Sequence, residues 1–496
     1  MTRPMKRSIH RPNVTPNIDH AGPRGFAWLF SPVDAASLAW FRIVFGAVMF
    51  WEFCSYVKSD WIGEYFIKPE FHFKFYGFEW VQPWPGDFMY LHFLVLGVAS
   101  LGVLFGCFYR LSATLLAFGF TYVFLIDQAI YLNHLYLLSL VSFCMIFLPA
   151  HRTLSVDARR RPEIYSRKIP SWCLWLLRGQ LGIVYFFGGV AKLNSDWLHG
   201  YPLKMWMPEM GHLPYVGALF QYEATALIFS YGGLLLDLTI FPLLLWRRTR
   251  IPAYALSVVF HLLNALMFQI GAFPWFMIAG TLIFFSPSWP RRLGIFAGRA
   301  RTSVAVAAPA RNSRRMRCVT VSALTIYLAL QVILPLRHHF YPGDVSWTEE
   351  GHTFAWRMKL RQKSSALRFK VTYPDTRETV WVEPKEFFTL LTRVQSMALL
   401  HKPEMVRQLT HHLANKLQHP GGRRPEVRAW IATSLNGREH QLLVDPKVNL
   451  ASKSPSLGHA DWILPLVKSR PTKPPTQQAD QAPRITPQPG VISWSR

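Results

Sequence analysis

Lys192 closes an apolar run, directly after Gly188-Gly189-Val190-Ala191, and Asp196 and Trp197 follow within a few residues. Left uncovered, a lysine at such a boundary snorkels to lipid head groups, and since spans four and five cross in opposite directions it arrives at the same leaflet as His134. His134 follows Asn133 at the end of the polar run Asp127-Gln128-Ala129-Ile130-Tyr131-Leu132-Asn133-His134, which suggests a polar pocket, with interfacial snorkelling as the bland reading. His261 and Asn264 stand three apart in Phe260-His261-Leu262-Leu263-Asn264 and share one face of a helix. In an otherwise apolar span that face suits an amphipathic ring, and core hydrogen bonding is the alternative. No metal is expected: His338-His339 and His411-His412 are adjacent pairs that do not share a helix face, and the five cysteines lack zinc spacing.

The elements that must position these residues are membrane spans. Half of the 496 residues are hydrophobic, 15% are aromatic and only 17% are charged, and the apolar excess falls in runs. The runs lie near 36–56, 89–107, 111–128, 133–149, 172–191, 225–246, 253–269, 270–286 and 319–335. Most reach the roughly 17 to 25 residues that cross ~30 Å of hydrocarbon. This predicts nine spans, or eight if the two short runs beside Gly271 are re-entrant. The fold class expected is a polytopic α-helical membrane protein with about nine transmembrane helices and a C-terminal α+β domain outside the membrane. Ionisable groups inside spans cost roughly 2.5 to 3.5 kcal/mol, so Arg42, Glu52, Asp127, His134, Arg178, Asp237 and His261 are expected to face partners or a cavity. Arg42, Glu52 and Arg178 read most simply as pairs within the bundle or as head-group contacts, and Asp237 similarly.

Basic residues set the direction. With the N-terminus inside, the short cytoplasmic stretches hold 23 Lys and Arg against five (Lys58, Lys68, Lys74, Lys192 and Lys204) in the opposite loops. The N-terminus is therefore expected in the cytoplasm and the region after 336 outside. The net charge of +26 is the product of that topology and of contact with anionic lipid, not of nucleic-acid binding.

Four segments result: a basic cytoplasmic tail at 1–30, a membrane domain at 31–336, an extracytoplasmic α+β domain at 337–468 and a disordered Pro- and Gln-rich tail at 469–496. Alternation at Phe354, Trp356, Met358 and Leu360, and again from Leu367 to Tyr373, predicts strands closed by a turn at Pro374-Asp375. Helices are expected over 385–400 and from Pro403 to 418, and a hairpin with strands 427–435 and 439–444 around Asn436-Gly437. All five cysteines lie in or beside spans and are expected to act as small buried apolar side chains. The absence of a cleavable signal before the first span and of cysteines in the outer domain leans toward a bacterial inner membrane.

On the stretches Tyr185 to Tyr201, Asn133-His134-Leu135-Tyr136-Leu137, Phe260-His261-Leu262-Leu263-Asn264 through Gly271-Ala272-Phe273-Pro274, and Ser286 to Pro290, the sequence resembles the vitamin K-dependent gamma-glutamyl carboxylase family, including bacterial members with the horizontally transferred transmembrane (HTTM) domain. Thr353 to Trp356 and Val444-Asp445-Pro446 match more weakly, and the likeness covers roughly residues 30–466. The resemblance implies a lyase that couples oxidation of vitamin K hydroquinone, of menaquinol or phylloquinol type, to its epoxide with carboxylation of glutamate side chains, with O2 and CO2 as co-substrates. It places Lys192 on the family's catalytic base and His134 with Asn133 on the positions that hold the quinol; His261 and Asn264 would line the cofactor pocket. The acceptor would be a glutamate-containing peptide or protein. Lysine can take the quinol proton only as the neutral amine, which apolar surroundings favour. Two departures stand out: Ala191 precedes the lysine where the family often has a second lysine, and the disulfide that ties an early outer loop to the outer domain in animal members has no cysteines here. A quinol epoxidase or oxidase without carboxylation, and a non-catalytic quinone- or lipid-binding scaffold, are the competing functions.

Overall fold

The computed structural model describes residues 24–467 apart from 216, 269 and 295–312. The first 23 residues, most of the basic stretch at 291–317 and the expected tail after 468 lie outside the described residues. Each apolar run forms a helix, because backbone groups in hydrocarbon must be satisfied within the segment itself. They are α1 (Ala36–Lys58), α2 (Phe88–Phe105), α3 (Tyr109–Ile126), α4 (Asn133–Phe147), α5 (Trp172–Lys192), α6 (Glu223–Leu245), α7 (Arg250–Met267), α8 (Phe273–Gly280) and α9 (Arg314–Leu336). Seven of them are long and apolar enough to cross a membrane. The two shorter apolar helices are α4 and α8, the latter continued by a 3-10 turn to Phe284. The chain is thus a polytopic, mostly helical membrane protein.

Small residues let the helices close on one another, as expected where lipid gives no hydrophobic drive between them. A side chain on Gly46 of α1 would run into the backbone of Leu104 on α2. On α5, Gly182 lies against the Phe241 ring and Gly189 against Leu238 of α6, so these two helices pack backbone to backbone. At the end where α1 begins, the short strands β1 (Pro32–Asp34) and β2 (Lys168–Pro170) pair, and Asp34 accepts from Arg291 Nε at 3.1 Å. Arg42 is fully buried and donates to the carbonyls of Ala150 and Leu154, while Arg178 donates to those of Ile283 and Phe285. Both arginines are therefore held by backbone oxygens, with Arg42 Nε left without a partner among the described residues, and not by the carboxylates that an intra-bundle pair would supply.

The outer domain is a four-stranded antiparallel sheet of order β4-β3-β5-β6, formed by β3 (Lys363–Thr372), β4 (Thr379–Val382), β5 (Glu426–Leu435) and β6 (Gln441–Leu442). Leu367, Phe369 and Val371 alternate onto the face that meets Leu409 and Leu413 of α10 (Pro403–Lys416). Its hairpin turns at Asn436 and Gly437, both with positive φ as a type I′ turn requires. The second strand of that hairpin is only two residues long, shorter than expected. The expected helix over 385–400 is two, Pro384–Phe388 and Arg393–Leu399, because the Thr392 and Gln395 side chains form a capping box that starts a new helix.

The first expected strand is absent. Residues 354–360 form a turning loop in which Phe354, Trp356 and Lys359 have positive φ. The alternating apolar residues there are anchors driven into the bundle: Phe354 packs on Phe75, Phe124 and Tyr136, and Trp356 stacks on Tyr136 at 4.9 Å. Cys54 and Cys318 are exposed on their helices, so only Cys144 and Cys173 fill the buried role expected of all five.

Candidate active site

Lys192, His134, Asn133, His261 and Asn264 all line one cavity of about 420 Å³, at the end of the bundle that meets the outer domain. Helix geometry brings them there. Lys192 is the last residue of α5, Asn133 and His134 are the first two of α4, and His261 and Asn264 lie on the final turns of α7.

Lys192 is 6% exposed, so it does not snorkel. Its Nζ donates to Asp237 Oδ2 at 2.6 Å and to the Gly188 carbonyl at 3.1 Å, and it stands 5.3 Å from the centroid of the Trp197 ring. The close approach of α5 and α6 through Gly182 and Gly189 is what puts the Asp237 carboxylate within reach. The surroundings expected to be apolar are therefore only partly so. Asp237, read from sequence as an ordinary bundle pair, is the lysine's direct partner.

His134 stacks on Phe273, with centroids 5.6 Å apart, and makes no hydrogen bond among the described residues. The Asn133 amide is held, accepting from Tyr131 Oη at 3.0 Å and donating to the Arg357 carbonyl at 3.3 Å. His261 Nε2 lies 2.7 Å from Tyr185 Oη, which ties it to α5, and Asn264 donates to the Phe260 carbonyl one turn back. The polar run before His134 divides. Tyr131, Asn133 and His134 face the cavity, whereas Asp127 turns to the outer domain, where it accepts from Gln395 Nε2 at 2.7 Å and lies 3.3 Å from His72 Nδ1.

The outer wall of the cavity is cationic, and sequence reading did not single it out. His352, Arg357, Lys359, Arg361 and Lys402 all line it. Burial lowers Arg357 to about 10 and Lys402 to about 8, so both charges are costly where they stand. Glu349 offsets part of that cost: it binds Arg361 through both oxygens and Lys363 Nζ at 2.7 Å. Burial alone would push its carboxyl up, but Arg361 and Lys363 outweigh that and hold it well below the usual carboxylate range. Arg357 Nε and His352 Nε2 are buried with no hydrogen-bond partner among the described residues. The unmatched Arg357 Nε–H beside the cavity suits a ligand with oxygen acceptors, while His352 Nε2 can donate or accept according to its tautomer. The remaining walls, including Phe229, Phe260, Leu263, Met267, Phe273 and Met277, are apolar. A ligand with an apolar body and oxygens at its edges fits this set.

A second tie binds the outer domain to the segment just after the lysine. Asp196 accepts from Arg438 Nη1 and Nη2 at 2.8 and 2.6 Å and from Asn436 Nδ2 at 2.7 Å, all from the β5–β6 hairpin. Burial raises the Asp196 carboxyl, but these bonds prevail and leave it below its ordinary value.

Residues 30–289 match the sequence model of the HTTM domain, and residues 316–469 match that of the vitamin K-dependent gamma-carboxylase lumenal domain. No solved structure matches the chain.

Proposed function

This chain belongs to the HTTM-domain family, with the lumenal domain of vitamin K-dependent gamma-carboxylase behind the HTTM region, and from that premise we propose that it couples vitamin K hydroquinone epoxidation to carboxylation of glutamate side chains. The observation that carries the reading is the buried Lys192 amine, set between Asp237 and Gly188 in a cavity it shares with His134, Asn133, His261 and Asn264. A quinol of menaquinol or phylloquinol type would supply the reducing power and, with O2, the strong base that a glutamate γ-carbon requires.

The protein's own work is then positioning and proton transfer. Once its amine is neutral, Lys192 can donate its two hydrogens to Asp237 and Gly188, keep its lone pair for a hydroxyl bound in the cavity, and take the proton at Nζ, which re-forms the ion pair with Asp237. His134, free of protein hydrogen bonds among the described residues, can serve an oxygen of the bound ring, and Asn133 and Asn264 with His261 hold the ring's surroundings. The cationic wall formed by Arg357, Arg361 and Lys402 is suited to the carboxylate of a glutamate-containing peptide entering from the outer domain, with CO2 as the second substrate.

We further propose nine spans, counting α4 and α8, a cytoplasmic N-terminus and a bacterial inner membrane, with the membrane domain at 31–336 and the outer domain at 337–468. The 23 to 5 distribution of basic residues supports that orientation. The test is incubation of the purified protein with vitamin K hydroquinone, O2 and labelled bicarbonate. Label fixed on an acceptor peptide together with epoxide is the expected outcome. Epoxide without fixed label would make it a quinol epoxidase, and neither product would leave a binding scaffold.

A further inference from the structure

Most glycines at helix contacts in the bundle stand where a side chain would collide. A Cβ on Gly189 would lie 2.9 Å from the Leu238 backbone nitrogen, one on Gly182 2.4 Å from the Phe241 ring, and one on Gly46 2.5 Å from the Leu104 backbone nitrogen. Gly233 of α6 is different. It is buried and lines the cavity, yet a Cβ there would meet nothing closer than 3.9 Å. The three atoms it would meet belong to Lys192 (Cε), Phe260 and Trp197. Alanine is the better residue for a helix interior and here it has room, so neither packing nor helix formation accounts for glycine. What remains is the space itself.

That space is bordered by an indole, a phenyl ring and the lysine side chain, which suits the face of a flat aromatic ligand. Asp237 lies four residues further along α6 and so on the same face, next to Lys192 Nζ. A planar ligand entering the gap would meet an apolar slot on its body and the amine at its polar edge. We propose that Gly233 is a specificity-determining residue whose missing side chain admits a fused two-ring quinol beside Lys192. This rests on the quinol reading of the cavity. A single ring can leave the corner at Gly233 empty and still reach the amine, whereas in this assignment the fused second ring fills it.

The test is equilibrium binding of an oxidised naphthoquinone and a benzoquinone with identical tails to the purified wild type, Gly233→Ala and Gly233→Val, with thermal unfolding of each protein alone. Gly233→Ala should unfold no earlier than the wild type, lose about 10 to 200-fold in naphthoquinone affinity and change benzoquinone affinity by less than roughly 3-fold, the range one added methyl group produces in a close-fitting pocket. Gly232→Ala, which points into open space one residue earlier, should change neither. Wild-type naphthoquinone affinity in a folded Gly233→Ala protein would overturn this assignment alone. If Gly233→Val fails to fold, the alanine variant decides, because its methyl would meet nothing closer than 3.9 Å. A wild type that binds neither quinone would overturn the quinol reading and this assignment with it.

Discussion

Replacing Lys192 with alanine removes half of a buried pair and strands the Asp237 carboxylate. The expected cost is about 3 to 5 kcal/mol, and Lys192→Ala/Asp237→Ala should recover most of it, because the loss comes from the unpaired charge and not from the missing attraction. Unfolding of the three proteins in the same detergent measures this without any substrate. On activity, Lys192→Ala should abolish epoxide formation while quinol binding stays measurable, and a small amine should restore part of the turnover. Lys192→Arg should fail as well, since a guanidinium cannot accept the proton; near wild-type epoxidation by that variant would end the base assignment. His134→Ala removes one oxyanion partner and should slow turnover roughly 100 to 1000-fold. The five candidate site residues could be picked from sequence because a polar side chain inside an apolar run is conspicuous. Asp237 was equally conspicuous, but its pairing depends on how closely α5 and α6 approach, which Gly182 and Gly189 decide only once the helices are packed.

The loop at 353–361 and the β5–β6 hairpin hold the cavity's outer side in place. Every apolar run became a helix, since length and hydropathy suffice for that, whereas the alternation at 354–360 imitates a strand and was misread. Its period comes from aromatic anchors, and the positive φ values at Phe354, Trp356 and Lys359 left no sign in the residue types. Nor could sequence spacing bring Lys402 to the same cavity as Arg357, because only the fold of the outer domain places both there. The hairpin makes a prediction at this scale. Asp196 is held below its ordinary carboxyl value, so its contribution is fully present above the unfolded carboxylate range near pH 4 and is lost as pH falls through the lower folded value. Asp196→Asn should therefore unfold earlier than the wild type at pH 7, and the gap should close below about pH 4. A gap that stayed constant with pH would mean that the Arg438 tie contributes nothing electrostatic.

For the molecule as a whole, orientation is the prediction on which the outer-domain reading depends. A reporter fused after residue 470 should be active only outside the cytoplasm, and cytoplasmic activity would reverse the assignment of both faces. The cores of the bundle and of the outer domain are not independent under this arrangement. Trp356 is 1% exposed and belongs to the bundle's core, although it lies in the stretch that leads directly into β3. A soluble fragment beginning near residue 340 would carry Phe354 and Trp356 with nothing to cover them, and should aggregate where the full chain in detergent does not. The same dependence governs biogenesis. Residues 352–361 and Lys402, which close one side of the cavity, follow in the chain the helices that form its other walls, so under the proposed orientation a nascent chain would present Lys192 and His134 uncovered until these later residues have crossed the bilayer and folded against them.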